Sequence, residues 1–270
     1  MAKISSSFLD IGYLDTLACR ATSIHRLDPR AKLVTTLVFI VSIVSFNKYQ
    51  VASLIPFAVY PVVLTAMADL PAAYLCRKIL MAAPFAFFIG ILNPFWDRHI
   101  LVQLGTIGIS GGWISFASIM LRFLLTVSAA LILIASTGFN AVCLALEKMG
   151  TPRSFVVQLL FLYRYIFVLT DEASRMVRAR SLRAFGGNGM GIRVFGSMIG
   201  HLLLRTLDRA QRIHLAMLCR GFDGEIRIAR ALDFSGRDAL FCLGWCGVFI
   251  IMRLYNIPEL IGNAAIGFMR

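Results

Sequence analysis

Apolar residues run almost unbroken through residues 33–46, 51–68, 79–92, 113–135 and 239–254. Runs of this kind, close to the roughly 20 residues that cross a bilayer, predict about five transmembrane helices. Polar punctuation orders them. Asp28 with Pro29 starts the first helix, as a capping carboxylate followed by a residue that needs no N–H there. Arg30 and Lys32 extend that helix to the headgroups. Asn47-Lys48-Tyr49-Gln50 turns the chain back, so the first two helices form a hairpin, and Pro56 and Pro61 are tolerated in the second because neighbouring helices satisfy the freed backbone groups. Asp69-Leu70-Pro71 leads to Arg77-Lys78 and the third helix, which Asn93-Pro94 ends. A loop to about residue 112, holding Trp96, Asp97, Arg98, His99 and several glycines, lies on the far side. Arg122 falls well inside the fourth run, where it is either a functional intramembrane cation or a side chain that snorkels to the interface.

Between the fourth and fifth runs the pattern changes to long amphipathic helices. Asn140 and Gly150 bracket a short helix, Thr151-Pro152 starts a long one, and Gly186-Gly187 stops it. Its part at 155–169 is apolar almost all round, yet Gln158 and Arg164 interrupt it, which predicts packing at the interface rather than a further span. Leu169, Ala173, Met176, Arg180 and Ala184 form one row; in the second long helix, 192–220, Thr206, Ala210, Ile213, Met217 and Arg220 form another. Arg205, Arg209 and Arg212 lie beside that second row, with Asp208 placed to pair with Arg205 or Arg212, and Arg178 and Arg209 point off the apolar rows. Each apolar row ends on an arginine between small residues, in Ala179-Arg180-Ser181 and in Cys219-Arg220-Gly221. An arginine so placed can reach an acidic groove on a partner with nothing bulky beside it.

Taken with the stretch Ser23-Ile24-His25-Arg26-Leu27-Asp28-Pro29-Arg30-Ala31-Lys32-Leu33 and with Ala216-Met217-Leu218-Cys219-Arg220-Gly221-Phe222-Asp223-Gly224, the chain resembles the T component of an energy-coupling factor (ECF) transporter of the cobalt-transport CbiQ type. The likeness runs from about residue 23 to beyond 223. It implies that the two long helices are coupling helices whose Ala-Arg-Gly-like motifs dock on two ABC-type ATPase subunits, with Ala179, Arg180, Ser181, Cys219, Arg220 and Gly221 as the docking residues. Ser181 stands where glycine is common and Cys219 where alanine is common. The resemblance further implies a non-catalytic subunit in a prokaryotic inner membrane, partnered by a separate substrate-binding membrane subunit, with cobalt or nickel as cargo. A shared vitamin-type T component is the alternative within the family. A membrane-bound enzyme with a basic cytoplasmic module is the alternative outside it.

Composition agrees with the lipid solvent: 59% of residues are hydrophobic, only 15% are charged, and mean hydropathy is +0.78. The net charge of +13 lacks the aromatic stacking surface or zinc-finger spacing of a nucleic-acid binder, so it reads as topology and as affinity for acidic partners. Lysines and arginines crowd residues 139–236, which places that segment and the N-terminus in the cytoplasm. The expected organisation is an N-terminal arm at 1–32, transmembrane helices at 33–138, a cytoplasmic coupling module at 139–236, and a last span with its tail at 237–270. The expected fold class is an all-α polytopic membrane protein. The six cysteines show no CxxC spacing, and Cys242 and Cys246 share a face as packing residues. His25, His99, His201 and His214 are dispersed, and no nucleotide loop, HExxH pair, GxSxG elbow or paired-carboxylate cluster appears, so no cofactor or metal is expected. The first residues, 1–20, are polar and of mixed charge, unlike a cleavable signal.

Overall fold

The structure, a computed structural model, describes residues 12–20, 22–96, 100–104, 107–183, 191–224 and 234–254. In chain order the elements are α1 (residues 12–18), α2 (Pro29–Val44), a 3-10 helix (Ala52–Ala58) running into α3 (Val59–Met67), α4 (Ala72–Gly90), α5 (Asn93–Trp96), strands β1 (Ile100–Leu104) and β2 (Ile107–Ser110), α6 (Gly111–Thr137), α7 (Phe139–Lys148), α8 (Arg153–Arg183), α9 (Ile192–Leu218) and α10 (Gly236–Leu254). The protein is a helical membrane protein. The region expected as a plain loop after Asn93-Pro94 instead carries α5 and a short antiparallel strand pair. The stop at Gly186-Gly187, the tail beyond 254 and the loop residues Asp97, Arg98 and His99 lie outside the described residues.

Two compact units emerge, one holding the described residues from 14 to 138 and from 234 to 254, the other those from 139 to 224 together with 12 and 13. Among the described residues three helices are long and apolar enough to cross a membrane: α4, α6 and α8. The helix expected to follow Arg77-Lys78 begins before them, because Pro71 in extended conformation launches α4 at once and Arg and Lys are good helix formers. Pro56 lies within the 3-10 helix, where it cannot donate to an α-helical ladder, whereas Pro61 sits in the first turn of α3 where no donor is missed. α8 continues unbroken past Leu169 and contains a window of span length. The interfacial expectation for 155–169 rested on Gln158 and Arg164 as breaks in an apolar run shorter than a span; the helix runs on through both, and its length and composition alone would also allow a crossing.

The first unit is built on α2, which packs against α6 and α10. Phe39 is fully buried, with ring centroids of Tyr60 at 4.5 Å, Phe249 at 5.2 Å and Phe57 at 6.1 Å. Polar clamps fasten both ends of this apolar middle. At one end the Asp28 carboxylate accepts from Arg30 N at 2.8 Å, completing the expected cap, and Asp28 N donates to Asp238 Oδ1 at 2.8 Å. Asp238 Oδ2 accepts from Ser235 N at 2.8 Å, the reach-back bond of a capping box at the start of α10. Lys32 is buried rather than at the headgroups, with Nζ donating to the Ser136 carbonyl at 3.0 Å near the end of α6. Its four-carbon stem runs along the bundle and its ammonium satisfies a helix C-terminus, where positive charge is favoured.

At the other end two arginines close the C-terminus of α2, whose own last turn carries no basic residue. Arg122 of α6 donates to the carbonyls of Phe46 at 3.0 Å and Asn47 at 2.7 Å. Arg253 of α10 donates to the Ser45 carbonyl at 2.9 Å and lies 4.1 Å over the Phe46 ring. α2 and α10 therefore run the same way and α6 runs against them. Since the carbonyls lose their partner when the guanidinium is truncated, at about 1.5–3 kcal/mol for a bond to a charged group, Arg122→Leu is expected to lower the melting temperature of the purified protein, with Arg122→Lys intermediate. Equal melting of both variants and the wild type would return Arg122 to simple snorkelling.

His25 sits outside the spans and is buried, with Nδ1 2.6 Å from Thr22 Oγ1. Burial, and then the nearby Lys32, lower its pKa from 6.5. Below pH 6.5 the unfolded chain then binds more protons than the folded one, so stability contributed by neutral His25 is present above that pH and lost as pH falls. Melting curves should show this acid-side loss in the wild type and a smaller one in His25→Gln; identical slopes would refute it.

Candidate docking surface

In the second unit α7 ends in a left-handed turn at Gly150, φ +104°, where Gly150 N donates to Glu147 O and Thr151 N to Leu146 O, both at 3.1 Å. That turn starts α8. Phe139 stacks on Tyr163 with centroids 4.4 Å apart, and Arg153 pairs with Glu147 at 3.7 Å. α8 and α9 lie side by side and run in opposite directions: residues 172–183 of α8 line a groove with 198–205 of α9, while 161–168 line a second groove with 209–220. Within the first groove Arg205 binds the Glu172 carboxylate. This corrects the expected pairing within α9, since Arg205 reaches across to α8 and Arg212 Nε donates to the Asp208 backbone carbonyl at 3.3 Å.

The two docking arginines belong to different grooves, and Ser181, Cys219 and Gly221 line neither. Ala179 and Arg180 line the first, of about 590 Å³, with Met176, Met198 and His201; Arg220 lines the second, of about 430 Å³, with Phe161, Tyr165, Ile213 and Met217. Both linings are basic, the first with Arg175, Arg183 and Arg205 against Glu172, the second with Arg164 and Arg209. Such surfaces attract acidic partners and raise the rate of encounter. With a helical rise of roughly 1.5 Å per residue, Arg180 lies about 12 Å along α8 from Glu172 and Arg220 about 22 Å along α9 from Arg205, in opposite directions. The two guanidiniums are thus held at opposite ends of the helix pair.

Their local settings differ more than the matching motifs suggest. Arg180 is exposed on a continuing helix, and Ser181 Oγ folds back to donate to the Arg178 carbonyl at 2.8 Å. Arg220 lies in the terminal turn beyond α9, where Gly221 at φ +76° lets Gly221 N donate to Leu218 O and Phe222 N to Met217 O, both at 3.0 Å. Gly221 is therefore needed for the left-handed turn, and Cys219 caps the helix with its N–H on Leu215 O. Arg209, expected to point away, lines the Arg220 groove. No residue of α9 is buried, and Phe195, Ile199, Leu203 and Leu207 stand exposed, so the helix has apolar surface still to cover. Among the described residues no group of His, Cys, Asp and Glu is gathered as a metal site.

The fold and this surface define a helical membrane protein that carries a long, basic, amphipathic helix pair. Residues 20–229 match the family described as cobalt transport protein, CbiQ, and the chain belongs to that family. It is 26% identical to an uncharacterized protein of Methanocaldococcus jannaschii, over 82% of this chain and 78% of the relative. It is also 26% identical to the energy-coupling factor transporter transmembrane protein EcfT of Heliobacterium modesticaldum, over 86% of this chain and 93% of the relative. To the cobalt transport protein CbiQ of Salmonella typhimurium it is 29% identical, over 55% of this chain and 71% of the relative.

Proposed function

We propose that the chain is the transmembrane T subunit of an ECF-type uptake transporter, a non-catalytic scaffold that links ATP hydrolysis by two ABC-type ATPase subunits to the reorientation of a substrate-binding membrane subunit. The observation that carries the reading is the placement of Arg180 and Arg220 in two separate basic grooves at opposite ends of one antiparallel helix pair. Two equivalent acidic partners, one for each end, fit that arrangement, and a change in their separation turns the helices against each other. The ordering into an arm at 1–32, spans at 33–138, a coupling module at 139–236 and a last span at 237–270, in the inner membrane with the N-terminus cytoplasmic, belongs to the same proposal.

Cobalt is the cargo that the family description names, with nickel beside it as the resemblance implies, while a shared vitamin-type component is the second reading within the family. A tagged chain expressed with the ATPases and membrane proteins encoded beside it should retain both classes of subunit in detergent. Labels at Lys48 should react from outside the cell, and labels at Arg193 and Asp223 only from the cytoplasm. Outside labelling at Arg193, or purification of the chain free of any ATPase, would overturn the reading; turnover by the isolated chain would favour an enzyme.

A further inference from the structure

The first unit contains a cavity of about 710 Å³ between the segment at 23–27, Met67 and the outer face of α10. Its mouth carries Arg26 and Arg237, both exposed, and its wall is apolar, made by Leu240, Phe241, Trp245 and Val248. The carboxylate in the lining, Asp238, already accepts from the backbone N–H groups of Asp28 and Ser235, so it does not neutralise the two guanidiniums through an ion pair. The wall is held in place: Trp245 packs edge-on to Tyr60 at 5.0 Å and against Phe249 at 5.8 Å, and Phe249 is buried.

The shape follows from the helical repeat. Leu240, Gly244 and Val248 lie four residues apart in one row, and the glycine leaves the row hollow, with nothing within 4 Å of where its Cβ would be. Arg237 stands at the head of this row and Arg253 at the far end of the same helix, about 24 Å away. Those charges bracket the apolar run of α10, so that on the proposed reading of α10 as the last span Arg237 lies at the depth of the headgroups and the row at the depth of acyl chains. A free phosphate would satisfy the arginines and leave the apolar wall bare.

We propose that this groove binds one anionic glycerophospholipid, its phosphate between Arg26 and Arg237 and one acyl chain along Leu240, Gly244 and Val248. The lipid mortars the N-terminal segment to the last helix beside the Asp28–Asp238 bond. Native mass spectrometry of the full chain, with phosphatidylglycerol, phosphatidylethanolamine or inorganic phosphate added, tests it. Phosphatidylglycerol should be retained at one per chain and should raise the melting temperature. Phosphatidylethanolamine should be held at least about tenfold more weakly, and inorganic phosphate should give no rise in melting temperature. Arg26→Gln with Arg237→Gln should lower phosphatidylglycerol retention by about tenfold or more, since each basic residue near an anionic headgroup contributes on that scale. Gly244→Phe, whose Cβ has no protein atom within 4 Å and whose ring would take up the hollow of the row, should lower retention of the lipid while the protein without added lipid melts as before. Equal retention of both lipids, or retention unchanged in Gly244→Phe, would overturn the proposal.

Discussion

With Arg180 and Arg220 both changed to alanine, the chain is expected to reach the membrane at normal level and to lose its ATPase subunits on purification. A partly buried arginine set against a partner carboxylate costs about 2–5 kcal/mol to truncate, largely because the carboxylate is left without a partner. Each single variant should therefore weaken ATPase binding by at least about tenfold, since about 1.4 kcal/mol is a factor of ten. Because the two arginines occupy separate grooves, the two losses should add rather than mask each other. Arg178→Ala and Arg193→Ala are the matched controls, being exposed arginines that line neither groove. Arg209→Ala does not serve, since Arg209 shares the groove of Arg220. Titration of purified ATPase against the chain in nanodiscs reads the effect. Equal weakening by all four substitutions would mean diffuse electrostatics and end the docking assignment.

The largest expected effect on the fold comes from Asp238→Ala. Asp238 is 4% exposed, and its two oxygens hold the backbone N–H of Asp28 and of Ser235. Removing both acceptors orphans two backbone donors at about 1–3 kcal/mol each, and it frees the first turn of α10 from the start of α2. Purified Asp238→Ala should melt at least about 5 °C below the wild type and give a smaller monodisperse peak on size exclusion. Asp238→Asn keeps one oxygen acceptor and should fall between. An alanine variant as stable as the wild type would remove the clamp from the account. A useful contrast with Arg180→Ala follows, because that variant should lose partners without losing melting temperature.

Much of the helical plan was legible because the signals are local. Asp28-Pro29 caps α2 as its side chain and ring dictate, and Gly150 and Gly221 end helices where only a left-handed residue closes the turn. The amphipathic row of α9 was legible in part: Thr206, Ile213 and Met217 are half-buried, as are Val194, Met198 and Leu202 nearer its start, whereas Ala210 of the same row is exposed. What escaped was long-range. Nothing near Lys32 announces that its ammonium turns inward to Ser136, and nothing near Asp238 points to Asp28, 210 positions away. Arg253, at the end of an apolar run, looks like an interfacial anchor until Ser45 and Phe46 are beside it. The same limit applies to the docking surface. Two arginines at the ends of two rows were visible, but that they face separate grooves depends on the antiparallel pairing of α8 and α9, which no single helix encodes.

Site-specific photo-crosslinkers placed at positions 180 and 220 in the chain, expressed with its neighbouring ATPases, test the central claim most directly. The account predicts that each position captures an ATPase subunit, that the two capture different copies in one complex, and that probes at 178 and 193 capture far less. Capture of no ATPase at 180 and 220, or capture at 178 and 193 as strong as at both, would contradict it.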